Sequence, residues 1–186
     1  MKIFAIYLRL NLTTKPEWFD DFRSKHSSTS ILHITLIQPR YIDESKIQDV
    51  KDRITKVLGE NIFKVEDKKI FFDVTKLEWD EDDTEYILMS FIRENQSVFK
   101  LQKALVDVLR EFDTYCSETT REYELNFRPH LTVANGIDSN TKEDTLKYIP
   151  EMNGLEGNIT DLVLAIVKEK TLSESENPDN WTVFNL

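Results

Sequence analysis

The strongest constraint in this chain is a short pattern that occurs twice, as Leu32-His33-Ile34-Thr35-Leu36 and as Pro129-His130-Leu131-Thr132-Val133. In a β-strand, side chains two residues apart point to the same face. His33 and Thr35 therefore share one face of one strand, and His130 and Thr132 share one face of another. Ile34, Leu36, Leu131 and Val133 point the opposite way, into a core. A lone histidine on a strand is most often a packed core residue. Two copies in matched contexts instead indicate a site built from two imidazoles and two hydroxyls.

Composition limits what such a site can act on. The net charge is −10, which repels long nucleic acid and leaves no broad basic surface. An anionic substrate is then small, or a strand end met by a local cluster of cations. Cys116 is the single cysteine, so an intrachain disulfide and a Cys-rich zinc site are both excluded. It reads as a small buried apolar residue in a reducing compartment. With 186 residues and 40% apolar content, the chain can build one substantial core. The apolar N-terminal run is broken by Arg9 and followed by no small-residue cleavage site, and no run reaches membrane-spanning length. The expectation is a cytoplasmic monomer with no membrane contact and no obligate protein partner.

Along the chain, residues 3–12 alternate as a strand. Pro16 opens a short helix carrying Trp18, Phe19 and Phe22 on its inner side. Residues 31–37 form the first histidine strand, with Pro39 as its expected end. Asp43 is the expected N-cap of a helix on which Ile47, Val50, Ile54, Val57 and Leu58 recur at helical spacing, with Gly59 as its stop. Residues 69–78 and 85–92 read as a hairpin joined by an acidic turn. Residues 96–112 are the strongest helix, followed by a polar stretch from Cys116 to Glu124. The second histidine strand spans 129–135, with Asn135-Gly136 as its turn. Thr141 and Asp144 mark another helix start. Residues 159–168 and 181–185 are two further strands, separated by a polar loop at 171–180. The order helix, histidine strand, helix, strand, strand thus occurs twice, over about 16–92 and 96–185, within a single bilobal domain covering 1–186. The two histidines stand about one repeat apart, and a pseudo-two-fold arrangement would set their strands face to face across a cleft.

On His33-Ile34-Thr35-Leu36, on His130-Leu131-Thr132-Val133 and on the preceding Phe127-Arg128-Pro129, the chain resembles the two-histidine (2H) phosphoesterase superfamily. The family concerned is the LigT-like, or RNA 2′,3′-cyclic phosphodiesterase, family, also called 2′-5′ RNA ligase-like. Element order and motif spacing agree over essentially the whole chain. The resemblance implies a bilobal α+β fold, with two antiparallel sheets related by pseudo-two-fold symmetry around a central groove and helices on the outer faces. The paired HxT motifs line that groove. The stretch after the second motif is Ala134-Asn135-Gly136, where some LigT-type members carry a basic residue.

The residues themselves can do acid–base chemistry. One neutral imidazole takes a proton from water while the other, as imidazolium, protonates a departing ribose oxygen. The Thr35 and Thr132 hydroxyls can donate to the non-bridging phosphate oxygens, where charge builds up. The reading is a hydrolase of 2′,3′-cyclic phosphates or 2′-5′-linked oligonucleotides. It has His33 and His130 as catalytic residues, Thr35 and Thr132 as phosphate-binding residues, no metal and no cofactor. By the resemblance, water attack leaves a 2′-phosphate. Arg128, Arg40 and Tyr41 are candidate substrate-binding residues. The partner is a small nucleotide or an RNA end. The competing reading is a non-catalytic module of the same fold that binds nucleotide or RNA ends. Asp80-Glu81-Asp82-Asp83 reads as a solvated turn rather than a cation site, and His26, with Ser27 and Ser28, as a surface histidine rather than part of a triad.

Overall fold

The computed structural model describes residues 1–26, 31–60, 62–79, 85–152 and 154–186. The elements are β1 (Lys2–Thr14), α1 (Phe19–Lys25), β2 (His33–Ile42), α2 (Ile47–Gly59), β3 (Lys69–Trp79), β4 (Tyr86–Ile92), α3 (Gln96–Val108), α4 (Glu118–Leu125), β5 (His130–Ile137), α5 (Lys142–Leu146), β6 (Glu156–Val167), α6 (Leu172–Ser175) and β7 (Trp181–Asn185). All the strand pairings are antiparallel, in the order β2-β1-β6-β3-β4-β5, with β7 also on β6.

Strand β3 turns this path into two sheets. Lys69, Ile70 and Phe71 pair with β6, while Phe72 to Trp79 pair with β4. One sheet is therefore β2-β1-β6-β7 and the other is β3-β4-β5. The two ends of the path, β2 and β5, meet across the resulting groove without ladder bonds. Each sheet draws on both halves of the chain. The first histidine strand, β2, lies in the sheet of the second half's β6 and β7. The second, β5, pairs with the first half's hairpin.

Helices α3 and α4 pack on β2, and α2 packs on α3. In α2, Val50, Ile54 and Val57 are buried, and in α3, Val98, Leu101 and Leu105. These stripes pack on one another, and that of α3 packs on β2, joining Ile34, Leu36, Leu131 and Val133 in one continuous core. Full burial of such side chains contributes about 1.5–3 kcal/mol each. The Asn95 side chain caps α3, accepting from the Ser97 and Val98 amides at 3.1 and 3.2 Å. Gly157 sits where β1, β6 and β3 meet. A Cβ there would lie 2.9 Å from the Asn11 carbonyl oxygen, so a side chain would force the strands apart.

Several boundaries differ from the sequence reading. Strand β2 runs through Pro39 to Ile42. It is an edge strand, so the missing N–H of proline removes no ladder bond. Strand β5 passes through Asn135-Gly136, where Gly136 takes φ 65°, conformational freedom that a side chain would restrict. The polar stretch after Cys116 holds α4, and the loop at 171–180 holds α6. The acidic turn at Asp80–Asp83, like Ser27 and Ser28, lies outside the described residues. Among those described, no helix is long and apolar enough to cross a membrane.

Candidate active site

Each histidine opens its strand and is held in the same way. The His33 Nδ1–H donates to the Ile31 carbonyl at 2.7 Å, and the His130 Nδ1–H to the Arg128 carbonyl at 2.8 Å. A carbonyl can only accept, so this bond places the proton on Nδ1 and leaves Nε2 as the working nitrogen of the neutral ring. The carbonyl between tether and histidine goes to the neighbouring strand in both cases. Leu32 accepts from the Leu10 amide at 2.9 Å, and Pro129 from the Ile92 amide at 3.1 Å. The same local backbone device thus aims both imidazoles. Thr35 and Thr132, two residues on, are half-buried on the same faces. Neither hydroxyl has a hydrogen-bond partner among the described residues, which leaves both free to donate to an anion.

The surroundings of the two rings differ. Opposite His33 and Thr35 on β1 stand Arg9 and Tyr7. The Tyr7 ring lies 4.9 Å from His33. Arg9 is bound to Asp161 through two bonds of 2.6 Å and lies 5.3 Å from the Trp181 ring. A cavity of about 310 Å³ opens on this face, lined by Ala5, Tyr7, His33, Thr35, Gln38 and Glu176 among others. The Glu176 carboxylate accepts from the Ile31 amide at 3.0 Å, fixing the residue whose carbonyl holds His33. Opposite His130 and Thr132 on β4 stand Phe91 and Met89, with the Phe91 ring 5.7 Å from His130.

Burial holds both imidazoles below the ordinary histidine value of 6.5. At His33, the Ile31 carbonyl and Glu176 work against burial, while charges on His130 and Arg23 add to it. At His130, the Arg128 carbonyl and Glu78 work upward, and the Arg128 guanidinium works downward. Burial also pushes the Tyr7 hydroxyl up, so it stays a neutral donor. At neutral pH the empty groove holds two largely neutral imidazoles, and a bound phosphate dianion or monoanion would favour protonation of one.

The sequence-predicted residues fall into two groups. His33, Thr35, His130 and Thr132 are brought to one groove, and Arg128 flanks it. Arg40 is a correction: it is 1% exposed and faces the core, not the groove. Its guanidinium pairs with Glu124, donates to the Leu109 and Phe112 carbonyls at 3.2 and 3.1 Å, and packs 4.6 Å from the Tyr115 ring. Glu124 also accepts from the Gln38 amide at 2.9 Å and the Tyr115 hydroxyl at 2.7 Å, so this node clamps β2 to α4. Tyr41 is a second correction. It lies at the far end of β2, and its hydroxyl bonds the Cys116 thiol. His26 packs against Phe22 with ring centres 4.6 Å apart, at the end of α1. The sequence reading overlooked Tyr7, Arg9, Asp161, Glu176, Phe91 and Arg23. Tyr7 and Arg9 carried a signal, as polar groups at alternate positions of an otherwise apolar strand. Glu176 and Asp161 carried none, because they reach the groove from distant parts of the chain.

Two antiparallel sheets around a groove, with an HxT strand at the facing edge of each, define the two-histidine phosphoesterase class. The model of the 2′-5′ RNA ligase superfamily matches residues 13–171, and the chain belongs to that family. Among solved structures, the chain is similar to Usb1 of Kluyveromyces marxianus, with a TM-score of 0.60 and 12% identity, covering 99% of this chain and 98% of that one. It is similarly related to the structure of the same protein with uridine monophosphate, at a TM-score of 0.58, 12% identity and the same coverage. No curated protein matches the chain in sequence.

Proposed function

We propose that the protein is a metal-independent phosphodiesterase that hydrolyses 2′,3′-cyclic phosphates, or 2′-5′-linked oligonucleotides, at the groove between β2 and β5. The observation that carries this reading is the matched pair of Nδ1 tethers, which aims two Nε2 atoms and two unpartnered threonine hydroxyls from facing strands. A module that only bound phosphate would have no use for two proton carriers held in this way. The uridine monophosphate bound to the Usb1 relative is consistent with a nucleotide-sized ligand.

In the proposed reaction, Thr35 and Thr132 donate to the non-bridging oxygens of the cyclic phosphate. The Nε2 of one neutral imidazole takes a proton from water as its oxygen bonds to phosphorus. The bond from phosphorus to the ribose 3′-oxygen breaks, and the other imidazolium gives that oxygen its proton. The product is a 2′-phosphate, and a second proton exchange with solvent resets the pair. The groups that carry charge in the transition state are fixed beforehand, which is where most of the rate gain arises.

The test is turnover in EDTA of the four nucleoside 2′,3′-cyclic phosphates and a short 2′-5′-linked oligoadenylate, with the product isomer identified by chromatography. Turnover that disappears in His33→Ala and in His130→Ala is the expected result. Saturable binding with no turnover would replace this reading with the end-binding module.

A further inference from the structure

Beyond the two HxT pairs, the groove carries a second charged feature, on the His130 side. Phe91, next to His130, is flanked by two cations. The Arg128 guanidinium lies 4.5 Å from the ring centre and the Lys76 ammonium 5.2 Å. Both cations bind the same carboxylate, Glu78, at 2.8 and 2.7 Å. The strand registers put all of these on one face. Val74 opposes Phe91, Lys76 opposes Met89, and Met89 in turn opposes Thr132. The side chains of Lys76 and Arg128 are each 48% exposed, so they are open to a ligand arriving along the groove. Burial works against the charge on Glu78, but the bonds from Arg128 and Lys76 outweigh it and hold its carboxyl below the usual range.

A carboxylate gripped by a guanidinium and an ammonium beside an acid–base imidazole occupies the position and chemistry of a phosphate. Ion pairs this exposed add little to stability, so replacing the Glu78 oxygens by phosphate oxygens costs little. On the His33 side the groove instead deepens into the cavity of about 310 Å³, floored by Ile3, Ala5, Ala165 and Val167. An apolar recess suits a terminal nucleoside, and an open cationic platform suits a continuing backbone.

We propose that Lys76, Arg128 and Phe91 form a subsite for the two phosphodiesters next to the reacting phosphate, so that the substrate is the end of an oligoribonucleotide rather than a mononucleotide. The placement of the reacting phosphate rests on the phosphodiesterase reading above. The terminal nucleoside occupies the cavity beside His33, and the strand leaves across the Phe91 platform. Glu78 holds the two cations ready in the empty protein and yields them to the backbone. With a net charge of −10 over the whole chain, attraction is confined to this local pair, which favours a strand end over a long duplex.

The experiment is calorimetric binding, in EDTA, of two product-type ligands: uridine 2′-monophosphate and a triuridylate ending in a 2′-phosphate. Each is measured at two salt concentrations fourfold apart. Single-stranded contacts contribute a log–log salt slope of about −0.7 each. Two cations meeting two backbone phosphates therefore make the trinucleotide lose about sevenfold more affinity than the mononucleotide over that range. Lys76→Ala should reduce this excess to about threefold and weaken the trinucleotide selectively. Glu78→Gln should tighten the trinucleotide. Equal affinity of the two ligands, or a trinucleotide preference undiminished in Lys76→Ala, overturns the subsite. Turnover of a triuridylate ending in a 2′,3′-cyclic phosphate, in the same preparation, separates the two proposals. Turnover without a trinucleotide preference leaves the phosphodiesterase and removes the platform. A preference that Lys76→Ala diminishes, without turnover, keeps the platform and removes the phosphodiesterase.

Discussion

The two histidine strands share a backbone device but not a neighbourhood. Around His33, the partners across β1 are Tyr7 and Arg9, the tether residue is pinned by Glu176, and the wall deepens into a cavity. Around His130, the partners across β4 are Met89 and Phe91, and exposed cations flank the ring. On the proposed reading, the parts that act on a phosphate are duplicated, and the parts that tell one side of a substrate from the other are not. Symmetry serves the chemistry, and its loss serves recognition.

The largest expected effects test the symmetric part. His33→Ala and His130→Ala should each lower kcat by about 100-fold or more, with the circular dichroism spectrum unchanged. A variant of either histidine that kept near-normal turnover would show that only one imidazole transfers protons. Thr35→Val and Thr132→Val come next, at about 100-fold each if both hydroxyls meet developing charge. A loss in only one of them would show that the phosphate leans on one strand.

Arg40→Ala gives a contrast away from the groove. Removing one partner of a buried ion pair costs about 3–5 kcal/mol. Urea unfolding should therefore shift strongly, while turnover per folded molecule is retained. A selective loss of turnover at full stability would return Arg40 to the site.

The pH dependence sharpens the comparison further. Burial holds both imidazoles below 6.5, and the proposed reaction needs one neutral ring and one protonated ring. The kcat/KM of the free enzyme should therefore rise as pH falls from neutral. It should peak on the acid side of 6.5 and decline once both rings are protonated, with apparent values that belong to the pair. The smallest effect expected is that of Glu176→Gln. It keeps an acceptor for the Ile31 amide but removes a charge that favours the His33 imidazolium. One limb of the profile should move to lower pH, with little change in stability. An unmoved profile would assign Glu176 a purely structural part.

The groove was legible in the sequence because the alternation of strand side chains is strict where it matters. His33, Thr35, His130 and Thr132 could be placed on shared faces by counting. Beyond Leu36 the count fails, because the β1–β2 register shifts, Ile37 is buried and Gln38 lines the cavity, so the inward placing of Arg40 could not be read from its proximity to the motif. Helix α4 escaped notice because its buried side chains, Thr120 and Glu124, are polar. They leave no apolar stripe, and Glu124 is buried only because Arg40 neutralises it. Pro39 looked like a terminator because sequence does not reveal which strands lie at an edge. The asymmetric surroundings of the two rings were also beyond reach, since Glu78 and Lys76 join the site only through the pairing of the β3–β4 hairpin with β5, and Glu176 only from the segment after α6.

The exchange of strands between the halves of the chain has a kinetic consequence. The first HxT strand is completed by strands made last, and the second docks on a hairpin made early. The sheet that holds β2 cannot close until almost the whole polypeptide is available, and such non-local pairing is slow. A chain interrupted at its midpoint would carry one of the two groove imidazoles and no groove, and so would be inert rather than half active. Recovery of activity on refolding therefore reports the final closure of the molecule, not the formation of either motif.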